Sequence, residues 1–161
     1  MILALVIAPF LLQGFAISAD EFYFHHRRGL GLWERLGHPL DTLSLLACYA
    51  FIMTAQMTTS NFLIYAGLSV FSCLLVTKDE FVHHRECPAP EQWLHSVLFI
   101  LHPITLIFLG LAWNHTFSLS AEELQFFQSF IKIQFVLICL FFSYQIIYWS
   151  LPWKKARLNQ R

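Results

Sequence analysis

The chain has 161 residues, 57% of them hydrophobic and 12% charged, with no formal net charge, and its mean hydropathy is +0.58. Such a chain lacks the polar surface that a soluble domain of this size needs, and its balanced charge leaves no electrostatic footprint for nucleic acid. Its four cysteines form no Cys-x-x-Cys pair. Cys48, Cys73 and Cys139 fall in apolar runs and read as packing thiols without disulfides, whereas Cys87, beside Glu86, stands in a polar stretch from which a thiol could touch a metal.

Residues 2–19 form the first apolar run, close to the length a helix needs to cross a bilayer. The small residues of AISAD look like a cleavage point, but no positive region leads the run, so it reads as a retained helix. Further apolar runs cover about 40–57, 61–77, about 93–113 and about 125–151. In lipid the backbone must satisfy its own polar groups, so each run is expected to be a helix. The predicted fold is all-α: a polytopic membrane helical bundle of five transmembrane helices in a single membrane domain, 1–161.

Charge orients the bundle. Arg27, Arg28 and Arg35 lie between helices one and two, Lys78 and Arg85 between three and four, and Lys154, Lys155, Arg157 and Arg161 after helix five. The opposite connections, near 58–61 and 114–123, carry no Lys or Arg, which places the N-terminus outside and the C-terminus in the cytoplasm. Lys132, inside helix five, either snorkels outward or pairs within the bundle. Trp33, Trp93, Trp113, Trp149 and Trp153 fall near span ends, as an interfacial belt requires.

Two cytoplasmic stretches repeat one pattern, DEFYFHHRR at 20–28 and DEFVHHR at 79–85. Asp20 aligns with Asp79, Glu21 with Glu80 and, after a slip of one residue, His25-His26-Arg27 with His83-His84-Arg85; Glu34 and His38 then correspond to Glu91 and His95. The chain therefore divides into repeat 1 (about 1–57), repeat 2 (about 61–113) and an extra helix with a basic tail (about 125–161). These are two hairpins of the same sense, expected about an axis along the membrane normal.

Residues three or four apart on a helix share a face. Glu21 with His25, Glu80 with His83 or His84, Glu34 with His38, and Glu91 with His95 can thus each aim two ligands at one point. His26 completes the first His pair. Asp41 and the intramembrane His102 are further candidates, as ligands, proton relays or partners of ligands, and Asp20 and Asp79 serve as alternative ligands or as supports. Glu91 also suits a helix start, in PAPEQW, and Glu34 suits pairing with Arg35 or Arg27 on a short helix that breaks at His38-Pro39.

Converging carboxylates and imidazoles suit two metal ions, iron foremost, with zinc or manganese as alternatives. The Glu-x-x-His of Glu80–His83 is similar to that of ferritin-like di-iron bundles. More loosely, the His-His pairs at the ends of membrane helices resemble the histidine-box membrane oxygenases, the fatty-acid desaturases, hydroxylases and their relatives, over 20–41 and 79–102, with acids where that family has its leading His. The resemblance implies a metal-dependent membrane oxidoreductase in which two irons activate oxygen beside a lipid or other hydrophobic substrate, supplied by an electron donor. The competing readings are a metal-ion transporter or metal-handling protein, a b-type haem protein using His38, His95 or His102, and a structural subunit of a membrane complex.

Overall fold

The computed structural model describes residues 2–150, so the basic tail and Trp153 lie outside the described residues. Five helices are long and apolar enough to cross a membrane: α1 (Ile2–Arg28), α2 (Leu32–Thr54), α3 (Thr59–Glu86), α4 (Ala89–Trp113) and α5 (Ala121–Ser150). Among the described residues there are no strands. The links are short, and Gly29, after α1, sits at φ 80°, a conformation that side chains other than glycine's rarely adopt.

The helices run past the apolar stretches. Both polar repeats, expected as connections, are the last turns of α1 and α3. From these turns Asp20, Glu21, His25, Asp79 and His83 point inward and are buried, while Glu80, His84 and Arg85 stay exposed. The extra residue of the first repeat is taken up in a π-helical turn, Asp20–His25, where a widened turn absorbs a one-residue insertion. The second repeat instead begins with a tight 3-10 turn, Thr77–Asp79.

The polarity of the bundle is inverted relative to a soluble protein. Asp20, Glu21, His25, Glu34, Asp79, His83, Glu91 and His95 are buried, while Leu5, Phe15, Leu63 and Leu140 are among the many exposed apolar side chains. Without water outside, apolar residues gain little from burial, and polar residues turn inward to one another. At the far end from the cluster an apolar core gathers Val6, Phe10, Leu45, Tyr49, Leu106 and Phe127.

α2 packs on α3, α1 on α4, α3 on α4, and α5 lies against α2 while also meeting α1. Thr42 on α2 donates to Gln145 Oε1 on α5 at 2.7 Å. Gly37 on α2 lies against the Lys78 and Asp79 side chains, an added Cβ standing 2.7 Å from Lys78 Cε and 3.0 Å from Asp79 Oδ1.

Two local expectations are corrected. α2 runs through Pro39 without the break expected at His38-Pro39; Pro39 is the helix's eighth residue, where it gives up the hydrogen bond to the Arg35 carbonyl and crowds that group, and the helix continues past it. Trp33 and Trp93 are exposed as belt residues, but Trp149 is buried, because its indole N–H is taken by a carboxylate of the cluster.

Candidate metal centre

Four helix ends bring the candidate ligands together. Asp20 and His25 from α1 meet Glu91 and His95 from α4, and one potential ligand atom of each lies within 4.8 Å of the others. His95 Nε2 is 2.9 Å from Asp20 Oδ1, and His25 Nε2 is 3.2 Å from Asp20 Oδ2 and 3.7 Å from Glu91 Oε1. On the other side, Glu34 and His38 of α2 meet His83 of α3 within the same limit. His83 Nε2 lies 3.5 Å from Glu34 Oε1, and His38 Nε2 lies 3.5 Å from Asp79 Oδ2. The rings of His25 and His38 stack at 4.7 Å and those of His83 and His95 approach to 3.8 Å, so the two groups adjoin.

The arrangement leaves polar atoms that want a ligand. His25 Nδ1 is 3.2 Å from Glu21 Oε2; a carboxylate only accepts, so Nδ1 carries a proton, and Nε2 is the nitrogen turned toward the rest of the cluster. Nε2 faces carboxylate oxygens of Asp20 and Glu91, an arrangement that requires either a second proton on the ring or a cation between them. His25 Nε2, both nitrogens of His83, His95 Nδ1, Glu91 Oε2 and Asp79 Oδ1 are buried without a hydrogen-bond partner. Each such atom costs about 1–3 kcal/mol if nothing fills the gap.

Glu21 lies behind His25 and fixes its tautomer, as carboxylates behind metal-bound histidines do. Its other oxygen accepts from Trp149 Nε1 at 2.8 Å and from Tyr144 OH at 3.1 Å. Since that phenol's proton is committed to Glu21, the contact between Tyr144 and His26 Nε2 at 2.9 Å has the imidazole as donor. His26 is thereby held on α5. Glu21 can also approach a cation directly, since it forms a further grouping with His25 and His38.

The remaining candidates stand apart. Glu80 and His84 are exposed on α3. Asp41 pairs with Lys78 Nζ at 2.5 Å, and the same ammonium reaches Asp79 Oδ2 at 3.0 Å. His102 has both nitrogens engaged, by Gln13 at 2.8 Å and Ser72 at 2.9 Å. Cys87 joins His83 and His95 in a fourth grouping. Burial pushes the Cys87 thiol up, which keeps it protonated at neutral pH.

Arg28 is a residue that sequence reasoning used only for orientation. Its Nη1 donates to Glu34 Oε2 at 3.0 Å and its Nη2 to Glu34 Oε1 at 2.6 Å, while Nη2 also donates to Glu91 Oε1 at 2.9 Å. One guanidinium thus joins a carboxylate from each group. Glu34 pairs with Arg28 rather than with Arg35 or Arg27, and it also accepts from Gly31 N–H at 3.1 Å, which caps α2. The aligned stretches match Arg27, not Arg28, with a counterpart, so the sequence pattern does not point to Arg28.

A cavity of about 540 Å³ opens from the histidines into the membrane-spanning part of the bundle. His25, His38, His83 and His95 line one end, and Phe10, Leu45, Phe99 and Phe141 line the deeper part. Leu11, Phe15 and Leu137 also line it and are more than half exposed, so its mouth faces the surroundings of the bundle between α1 and α5.

No protein-family model, curated protein or solved structure matches the chain.

Proposed function

We propose that the chain is an integral membrane metalloenzyme whose carboxylate and imidazole cluster holds two metal ions, iron foremost, and that it oxidises a lipid or other hydrophobic substrate at the cytoplasmic membrane face. Asp20, His25, Glu91 and His95 would hold one ion; Glu34, His38, Asp79 and His83 would hold the other. Iron bound there would supply the redox chemistry that side chains lack.

The observation that carries the reading is that the two sets answer each other across the repeat. Asp20 to His95 at 2.9 Å has its counterpart in Asp79 to His38 at 3.5 Å. Glu91 to His25 at 3.7 Å has its counterpart in Glu34 to His83 at 3.5 Å. Packing follows the same exchange, with α1 on α4 answering α3 on α2. Two hairpins of one sense about an axis along the membrane normal would produce this pattern, and it supports the parallel repeat.

Charge supports two ions as well. Asp20, Glu21, Glu34, Asp79 and Glu91 converge, with Asp41 beside them, and among the described residues Arg28 and Lys78 are the fixed cations paired with these carboxylates. Six carboxylates against two cations leave four negative charges, the charge of two divalent ions. An uncompensated excess is expensive in a low-dielectric interior.

In this reading the protein's own groups do three things. Glu21 and Arg28 position His25, Glu34 and Glu91; the Phe-lined cavity holds an apolar chain away from water; and the lateral mouth admits that chain from the bilayer. The cytoplasmic orientation rests on Arg27, Arg28, Arg35, Lys78 and Arg85 lying on the cluster side.

Oxygen uptake tests the enzyme reading. Iron-loaded protein in nanodiscs, given a chemical reductant and a membrane lipid extract, is expected to consume oxygen in proportion to the lipid supplied. Metal-loaded protein that consumes none in excess of a His83→Ala control would contradict the reading.

A further inference from the structure

A second polar feature lies deeper in the membrane, and its direction is fixed. Gln13, His102, Ser72 and Ser44 form a buried chain: Gln13 Nε2 to His102 Nδ1 at 2.8 Å, His102 Nε2 to Ser72 Oγ at 2.9 Å, Ser72 Oγ to Ser44 Oγ at 2.7 Å, and Ser44 Oγ to the Asp41 carbonyl at 2.8 Å. A carbonyl only accepts, so Ser44 donates to Asp41. Its lone pair must then receive the Ser72 proton, Ser72 must receive the N–H of His102 Nε2, and His102 Nδ1 must accept from the Gln13 amide. The amide's nitrogen and oxygen are alike in shape, but this chain dictates that the nitrogen faces the imidazole. The oxygen is left over.

Gln13 is 4% exposed and lines the cavity, and its side chain's hydrogen bond among the described residues is the one through Nε2, not Oε1. An acceptor committed in this way, in a wall that Phe10, Leu45 and Phe99 share with Thr42, Gln134 and Gln145, gains a hydrogen bond from any ligand that donates to it. It stands seven residues before Asp20 on α1, about 10 Å from the metal-ligand level at ~1.5 Å per residue. The position seven residues after His95 is His102, whereas the corresponding position after His38 is Leu45. The position seven residues before Asp79, which answers to Gln13, is Ser72, so the amide acceptor occurs on one side.

We infer that the cavity's ligand is an apolar chain bearing a hydrogen-bond donor, a hydroxyl or an N–H, which Gln13 Oε1 receives while a carbon about 10 Å away along the chain lies against the metal centre. The inference rests on the proposed function for what happens at the metals, but the acceptor and its polarity do not depend on it. Hydrocarbons, ethers and esters, which cannot donate, fit the same space less well.

Competition between tetradecan-1-ol and its methyl ether tests this. The two share a chain and an oxygen, and only the alcohol donates. With both at equal concentration in phosphatidylcholine nanodiscs, ligand bound to the metal-loaded protein is counted by mass spectrometry, and metal content and helix content are read on the same samples. The alcohol is expected to be retained about tenfold over the ether, the ratio that one net hydrogen bond gives. Gln13→Leu is expected to bring the ratio close to one.

Ser44→Ala provides a second route that leaves Gln13 in place. Without the fixed end of the chain, Ser72, His102 and the amide can reverse, so the ratio is again expected to fall, with helix content unchanged. If Gln13→Leu does not assemble, Ser44→Ala decides. Equal retention of alcohol and ether by the wild-type protein, or a preference that survives both substitutions, overturns the inference. A preserved alcohol preference in protein that binds no metal would sink the metalloenzyme reading and leave the acceptor standing.

Discussion

Trp149 donates its indole N–H to Glu21 Oε1 at 2.8 Å, which ties the end of α5 to the carboxylate that holds His25. The last helix therefore reaches the cluster through Glu21. Trp149→Phe keeps an aromatic ring and removes the donor, while Tyr144 still donates to Glu21. Metal affinity is expected to fall about tenfold, at the lower end of what such supporting contacts contribute. Titration with a competing chelator measures it, and an unchanged affinity would mean that Glu21 does not orient a ligand.

Arg28→Met separates the metal-free from the metal-loaded protein. Glu34 and Glu91 would both lose a buried partner, and breaking one side of a buried ion pair costs roughly 3–5 kcal/mol. The loss is expected in full in the metal-free protein and in part once cations occupy the cluster. Arg28→Lys is expected to recover little, since an ammonium lacks the planar fork that reaches two carboxylates. Thermal unfolding in detergent, with and without added metal, makes the comparison.

Acidification should release metal. Protons and metal compete for the same imidazole lone pairs on His25, His38, His83 and His95, so affinity is expected to fall as pH is lowered, with proton release accompanying metal binding near neutrality. Calorimetry in buffers of different ionisation enthalpy counts those protons. Binding that releases none would point to ligands other than imidazole and carboxyl groups that are protonated beforehand.

Gly14 lines the cavity, and a Cβ built there meets nothing within 4 Å. Gly14→Leu is therefore expected to fold and to hold metal as the wild type does, while its larger side chain narrows the mouth between α1 and α5. Retention of tetradecan-1-ol is expected to drop several-fold. Unchanged retention would place the ligand's path elsewhere.

Much of this architecture is legible in the chain, and the reasons differ by level. Five apolar runs reveal five helices because in lipid length and hydropathy alone decide which segments can satisfy their own backbone. The convergence of Asp20, His25, Glu34, His38, His83, Glu91 and His95 follows from acid and imidazole spacings that recur in both halves. Which face each side chain takes was less legible. The one-residue insertion before His25 is taken up in a π-helical turn, and no spacing rule separates that outcome from a simple slip. Glu21 and Glu80 look equivalent in the repeat, yet α5 covers only the first, so Glu21 is buried and Glu80 is exposed. Arg28, Gln13 and Ser72 act through partners 30 to 89 residues away where hydrogen bonds are formed with His102, and 63 away for Glu91. Such pairings depend on packing that local pattern does not encode.

Metal stoichiometry tests the central claim most directly. Elemental analysis of the purified protein, after incubation with ferrous iron and removal of excess, is expected to give about two metal atoms per chain. His95→Ala and His38→Ala, one from each set, are each expected to lose about one, and the double substitution both. A wild-type protein that retains no metal, or a content that neither substitution changes, would contradict the account.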